Sequence, residues 1–403
     1  MQIEERDFIP IIFGSDINTY GMARAFYEEY QLKSIVIGKF PSGPSCNSKI
    51  IDYYSDLNIG NSDVFIQTVK NFSEKYIHKQ VLLIGCGDNY VELIVKHRDQ
   101  FGKNVIAPYL DQELLEKLLT KQKFYEMCEQ YQLDYPQTLI YNKAMGDDFV
   151  PAFQFPVIVK PSNSINYWLN EFEGQKKVYK ITNLNDLQEV IHKIYRAGYA
   201  DDLIIQEYIP GDDSHLRIMV CYSGRDKKVK LMSLAQVMLE EYTPQGLGSA
   251  SLLVTDYNED LSHKIKNFLE EIGYVGFSTF DIKYDDRDGK FKALEINCRQ
   301  GRSSSSVTGA GSNLAKYVTE EYIYNKEHSF QIVTDKILWT VISRLIAFKY
   351  VKDKENLARI KQLISNKKVY NPLFLKGDNK LKRLFFLYKA YLGQFLKYHK
   401  YYP

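Results

Sequence analysis

The sequence predicts an α/β protein built from two or three packed lobes, and three observations carry that expectation. Short apolar runs alternate with amphipathic helical patterns. Two of those runs open directly into Gly and Asp, as strands do at a ligand crevice. The chain has 403 residues, more than one ordinary core holds. Hydrophobic residues make up 45% and charged residues 25%, which excludes a disordered chain.

The first lobe is expected over residues 1–110. Phe8 to Phe13 (FIPIIF) is a strand ending in Gly14-Ser15-Asp16, followed by a helical pattern through Ala23, Phe26, Tyr27 and Tyr30. Ser34 to Gly38 (SIVIG) supplies the next strand, at the right distance for a parallel crossover. Val81 to Ile84 (VLLI) repeats the pattern and ends in Gly85-Cys86-Gly87-Asp88. A doubly wound sheet follows, although Gly-Asp is also ordinary turn chemistry. No GxGxxG is present, so a dinucleotide is not indicated.

The second lobe, residues 111–330, has a different rhythm. Asp111 to Gln132 is one charged amphipathic helix or two, ending before Tyr135-Pro136. Strands are expected at Phe155 to Lys160 and Leu203 to Gln206, around a polar stretch from Pro161 to Asn170. A strand–turn–strand covers Leu216 to Val237, and Asn258 to Ile272 is helical. Gly276 to Tyr284 and Lys290 to Asn297 form a hairpin about Asp285-Asp286-Arg287-Asp288-Gly289.

That hairpin carries the chemistry. It brings Asp281 near Glu295, and Glu295 and Asn297, two apart, leave the same face of their strand. Two carboxylates and an amide oxygen on rigid strands suit hard divalent cations that also bind phosphates. Acids on a hairpin are more often a solvated edge, yet Glu295 sits inside an apolar run and Asn is a poor strand former. Arg299 and Arg302 add cations where a phosphoryl group in transit needs them.

These elements, with Lys121 and Lys160, resemble the ATP-grasp superfamily over roughly Phe8 to Tyr322. Lys121 lies fifteen residues before Pro136 and is preferred to Lys123; Lys160 ends the strand in FPVIVKP. The resemblance implies an ATP-grasp fold with an N-terminal pre-ATP-grasp domain, a lid subdomain over about 140–210, and a C-terminal extension over 331–403. It implies ATP and two Mg2+ ions, with Mn2+ able to substitute. Lys121 and Lys160 would meet the ATP phosphates. In IIQEYIPGDD, Glu207 would meet the adenine amino group, the backbone of Tyr208 and Ile209 its edge, and Asp213 the ribose. Asp281, Glu295 and Asn297 would be the metal ligands, and Arg299 and Arg302 in EINCRQGRSSSS would steady the acyl phosphate and the incoming carboxylate. Two departures stand out. The segment after Lys160 is Pro161-Ser162-Asn163-Ser164 rather than Gly-rich, and Thr279 occupies a position where many relatives have Arg, leaving Lys283 or Arg217 as replacements.

Within the superfamily, FGSDINTYGMARAFYEEY, IGKFPSGPS and EINCRQGRSSSS are similar to the D-aspartate ligases of peptidoglycan bridge formation. That implies joining the β-carboxylate of D-aspartate to the lysine ε-amine of a UDP-linked muramyl pentapeptide. Rivals are another ATP-grasp ligase making a small peptide or natural-product amide, and a non-catalytic nucleotide-binding module. His215, beside the hinge, is expected to be structural rather than a general base.

Charge is distributed unevenly. The chain as a whole is +2, yet residues 331–403 hold sixteen Lys or Arg against four Asp or Glu. Leu338 to Phe348 and Leu381 to Leu396 mix apolar and aromatic residues with Lys and Arg. This segment is expected to be a basic helical layer on the body, a peripheral foot on anionic membrane, or a means of drawing in the UDP-peptide. No nucleic-acid reader accompanies it. Five scattered cysteines without CxxC spacing fit a reducing compartment. The N-terminal MQIEERDFIP places acids where a signal peptide needs a basic region, and no apolar run approaches the ~18–20 residues that span a bilayer. The expected location is cytoplasmic, with peripheral contact at the inner face of the membrane under the second of those readings. The oligomeric state is not legible.

Overall fold

Five strands build a fully parallel sheet: β1 (Phe8–Phe13), β2 (Ser34–Gly38), β3 (Ile51–Ser55), β4 (Gln80–Gly85) and β5 (Val105–Ile106), in the order β3-β2-β1-β4-β5. The computed structural model describes residues 7–41, 43–146, 149–244 and 246–402, without the side chains of Ser164 and Ile165. The first six residues of MQIEERDFIP, and the side chain of Ser164 in the polar stretch after Lys160, therefore lie outside the described residues. Helices α1 (Ile17–Tyr30), α2 (Ser62–Lys75) and α3 (Asp88–His97) make the crossovers. Asp16 starts α1 by accepting from the Thr19 N–H, the usual work of an N-cap carboxylate. Gly14, at φ 141°, brings the chain so close to Thr19 that a Cβ would not fit.

Residues 111–132 form two helices, α4 (Gln112–Leu119) and α5 (Lys121–Gln130), broken at Thr120. They lead into an antiparallel sheet of β6 (Thr138–Tyr141), β7 (Val157–Pro161), β8 (Tyr179–Ile181) and β9 (Leu203–Glu207), ordered β6-β9-β7-β8. Helices α6 (Ser164–Leu169) and α7 (Leu184–Arg196) belong to this lobe. It keeps a small core of its own around Tyr167, Leu187, Ile191 and Ile205.

The largest sheet holds β10 (Leu216–Ser223), β11 (Val229–Glu240), β12 (Ala250–Asp256), β13 (Gly276–Asp285) and β14 (Lys290–Asn297), with α8 (Glu259–Glu271) between β12 and β13. Two short helices, α9 (Ser306–Gly309) and α10 (Leu314–Tyr322), return the chain to the first lobe. The basic C-terminal segment is not only helical. β15 (Gln331–Val333), β16 (Leu338–Thr340) and β17 (Val369–Tyr370) extend the large sheet, and Trp339 on β16 is wholly buried. The apolar Leu338 to Phe348 run thus splits into a core strand and the start of α11 (Arg344–Tyr350), because an apolar run this short fits strand or helix equally. Helices α12 (Lys354–Ser365) and α13 (Leu381–Tyr401) complete the chain.

Arg383, on the first turn of α13, is fully buried rather than solvated. Its Nε lies 3.2 Å from Asp378, its guanidinium sits 4.1 Å from the centre of the Tyr20 ring, and it donates to the Leu373 and Pro44 carbonyls. Asp378 in turn accepts from Tyr20, Ser48 and the Lys49 N–H, so one ion pair fastens the C-terminal helix to the first lobe. Arg383→Ala leaves that carboxylate buried without its cation and should cost about 3–5 kcal/mol. Urea unfolding checks it, and a midpoint equal to wild type would show that the pair does not hold α13 in place.

Candidate active site

Between the four-stranded and the eight-stranded sheets lies a cavity of about 420 Å³. Its walls are apolar where Ile158, Ile209, Leu216, Val237 and Ile282 face it, a slot suited to a flat ring. Its far end is charged: Lys121, Lys160 and Lys177 face Asp281 and Glu295.

The acids come from β13 and β14. Asp281 stands directly opposite Glu295, because the register shifts by one residue between Asp281 and Ile282. Leu294 is the extra residue; its carbonyl accepts from Tyr125 Oη at 2.7 Å, and Ala293 N–H donates to Asp134 O. Lys121, opening α5, reaches Glu295 Oε2 at 3.4 Å. Lys160 on β7 lies 3.2 Å from Gln206 Oε1 and 3.4 Å from Tyr125 Oη. Lys123 is exposed.

Burial and the facing Glu295 push the Asp281 carboxyl well up. Burial would raise Glu295 too, but Lys121 and Lys160 outweigh it and hold that carboxyl down. Two facing carboxylates repel one another when both are ionised, and a divalent cation between them would relieve that repulsion. Among the described residues no third Asp, Glu, His or Cys joins them. Asn297 completes the set: its Nδ2 donates to Asp281 at 3.2 Å and its Oδ1 accepts from Arg299. A half-turn of that amide exchanges O and N, so the donor set of two carboxylates and one amide oxygen fits a hard cation that keeps sites for water and phosphate.

Other residues singled out in the sequence stand differently. The Glu207 carboxylate is committed to the scaffold, accepting from Gln137 N–H at 3.0 Å, Lys292 at 3.0 Å and Arg287 at 2.8 Å. Burial raises its pKa, but Gln137 and Lys292 more than reverse that, so it stays ionised and turned to the hairpin. The Tyr208 N–H is taken by Pro156 O, whereas no partner among the described residues takes the Tyr208 carbonyl or the Ile209 N–H. At the hinge the groups open to a ligand are therefore backbone ones. Asp213 does not line the cavity; its Oδ2 accepts from Glu240 N–H and Tyr242 Oη. Glu240 lines it instead, a residue unmarked in the sequence because it merely follows the apolar Val237-Met238-Leu239 at the end of its strand. Lys177 was equally unmarked, lying in a short charged loop before β8.

Arg299 bridges lobes rather than lining the cavity, with Nε 2.7 Å from Asp88 at the start of α3. Arg302 pairs with Glu241 at 2.9 Å, and the other oxygen of Glu241 meets Lys397 of α13. Tyr398 Oη donates to the Glu240 carbonyl. Thr279 donates to the Arg299 carbonyl; Lys283 and Arg217, the cations expected to serve in place of an Arg there, both line the cavity at its hinge end. His215 bridges Asp212 and Asp286 at the surface, a structural post.

Comparison with known proteins now decides the family. The chain is 39% identical to a D-aspartate ligase of Enterococcus faecium (strain Aus0004) over 412 residues, covering 98% of each chain. It belongs to the D-aspartate ligase family. No family model matches the sequence. Solved structures show the same fold at low identity. An L-amino acid ligase from Bacillus licheniformis matches with a TM-score of 0.55 at 14% identity, over 79% of this chain and 74% of that one. An N5-carboxyaminoimidazole synthetase from Staphylococcus aureus, complexed with ADP, matches with a TM-score of 0.61 at 13% identity, over 82% and 81%. The fold of this D-aspartate ligase family member is therefore the ATP-grasp fold, with a helical C-terminal segment.

Burial and the neighbouring Asp213 push the Glu240 carboxyl up to about 7. Between the ordinary 4.5 and that value, the unfolded chain gives up this proton while the folded chain keeps it. Glu240 therefore lowers stability as pH rises through that window. Glu240→Gln should gain on wild type in urea midpoint over the same range, and a difference that stays flat with pH would show that Glu240 titrates normally.

Proposed function

We propose that the chain is an ATP- and Mg2+-dependent ligase that activates the β-carboxylate of D-aspartate and joins it to the lysine ε-amine of UDP-MurNAc-pentapeptide in the cytoplasm. One observation carries the activation chemistry: Lys121 and Lys160 face the Asp281–Glu295 pair at the end of an apolar slot. Family membership supports the choice of acid.

In this reading the adenine lies between Ile158, Ile209 and Ile282, with its edge read by the Tyr208 carbonyl and the Ile209 N–H. The Glu207 carboxylate fixes that hinge from behind, and Glu240 takes the ribose contact first expected of Asp213. Lys121 and Lys160 bind the phosphates. Asp281, Glu295 and Asn297 would hold Mg2+, which neutralises charge on the transferring phosphoryl group when bound. A carboxylate is a poor acyl donor because oxide would have to leave. Transfer of the γ-phosphoryl group makes an acyl phosphate and ADP; the amine then attacks the acyl carbon, phosphate leaves, and the amide forms. Arg299, between Asn297 and Asp88, is placed to steady the acid at the seam with the first sheet, and Arg302 the oxyanion or phosphate beside it. The loops Gly14-Ser15-Asp16 and Gly43-Pro44-Ser45 would border the substrate cleft, with the four-stranded sheet as its lid.

Glu295→Gln should lower turnover at least about a hundredfold without unfolding the chain, and Asp281→Asn should lower it less. Near-normal turnover by the Gln variant would remove the metal assignment. ATP should go to ADP and phosphate; detection of AMP would overturn the acyl phosphate. Phosphate release should be faster with D-aspartate than with L-aspartate and should yield product only when the muramyl pentapeptide is present. Equal rates with both enantiomers, or turnover only with unrelated acids, would favour a different ATP-grasp ligase.

A further inference from the structure

Helix α13 carries an apolar ridge that the described residues leave largely exposed, with Phe374 packed against it at Tyr388. Leu381, Phe385, Tyr388, Leu392 and Leu396 follow one another at steps of four, three, four and four residues, which places them on one face. They are 84%, 73%, 55%, 64% and 74% exposed. The helix is nonetheless firmly seated, since Arg383, Leu387 and Tyr398 on another face are buried against the body. An unmet need for packing therefore does not explain the ridge, and single exposed apolar residues would be unremarkable where five aligned ones are not.

Charge selects the occupant. From Asn379 to Tyr402 the chain has no Asp or Glu. Lys382, Lys389 and Lys400 fall on one line beside the ridge and pair with no acid among the described residues. A second copy laid on the ridge would bring these lysines together with no acid on the helix to offset them. A soluble phosphorylated ligand would satisfy the lysines but leave the five apolar side chains in water. An anionic lipid surface satisfies both, taking the ridge below its headgroups and the lysines among them. No helix among the described residues is long and apolar enough to cross a membrane, so α13 would lie on such a surface.

We propose that α13 is a docking face for anionic membrane, with Leu381, Phe385, Tyr388, Leu392 and Leu396 as its inserted ridge and Lys382, Lys389 and Lys400 as its headgroup contacts. This stands independently of the substrate assignment, because it rests on no residue of the cavity. The test is sedimentation of the full chain with phosphatidylcholine vesicles, with and without phosphatidylglycerol, at low and high salt. The wild-type chain should pellet only with the phosphatidylglycerol vesicles, and its partition should fall at least about tenfold at high salt. Phe385→Ser/Leu392→Ser/Leu396→Ser should bind at least about tenfold more weakly with an unchanged urea midpoint, since all three side chains are exposed. Failure of the wild-type chain to pellet, or equal pelleting with both vesicles, would overturn the proposal. So would a wild-type dimer in solution that the triple variant converts to monomer, because the ridge would then belong to a second copy.

Discussion

The site depends on one residue being out of register. Counted back from the turn, β13 and β14 pair regularly until Ile282 meets Ala293. Had the ladder continued, Asp281 would face Leu294 and Glu295 would face Phe280, with its side chain on the sheet's other surface. The bulge at Leu294 moves Glu295 across from Asp281 and brings Asn297 to Thr279. Two contacts hold it there: Tyr125 of α5 donates to the Leu294 carbonyl, and the Asp134 carbonyl, in the connection after α5, accepts from the Ala293 N–H. Lys121 rides on that same α5, so the device that aims the acids also brings a lysine to them.

The hinge is fixed to this hairpin by charge. Asp285, wholly buried, meets Arg287 at 2.6 Å and Lys292 at 2.8 Å, and both cations continue to Glu207. Hydrogen bonds from Arg287, aided by Lys292, hold the Asp285 carboxyl well below the usual carboxylate range. A group of four charges in balance, buried except at Arg287, gives direction rather than bulk stability. Here it sets the last residue of β9 against the turn of the hairpin, and so sets the distance between the two walls of the cavity.

Much of this was legible in the sequence, and the exceptions have physical causes. β2 was expected at Ser34 to Gly38 and lies there, because the β-branched run Ile35-Val36-Ile37, stopped by Gly38, is too short for a helix. The doubly wound order of the first sheet and the hairpin at 285–289 followed from crossover length and turn chemistry. The bulge was invisible, since Leu294 looks like any strand residue. The Glu207 and Asp213 side chains were assigned to a ligand from their place in the hinge, but their partners, Lys292, Arg287 and Tyr242, come from distant strands that no local pattern connects to them. Glu240 and Arg383 were missed for the converse reason: each is a charged residue whose surroundings come from elsewhere in the chain, Asp213 for the one and Tyr20 and Pro44 for the other. β15, β16 and β17 were hidden in a segment whose charge suggested a solvated surface.

The last turn of α13 also touches the cavity wall. Tyr398 holds the Glu240 carbonyl, Lys397 holds Glu241 beside Arg302, and Tyr242 packs on both Tyr398 and Tyr402. The wall at the end of β11 is thus closed by residues more than 150 positions downstream. Such a link makes the carboxyl-terminal turn a poor place to attach anything. A fusion or trimming there, ordinarily chosen because an end of a chain is expected to be inert, would pull directly on the shape of the pocket and on the arginine beside it.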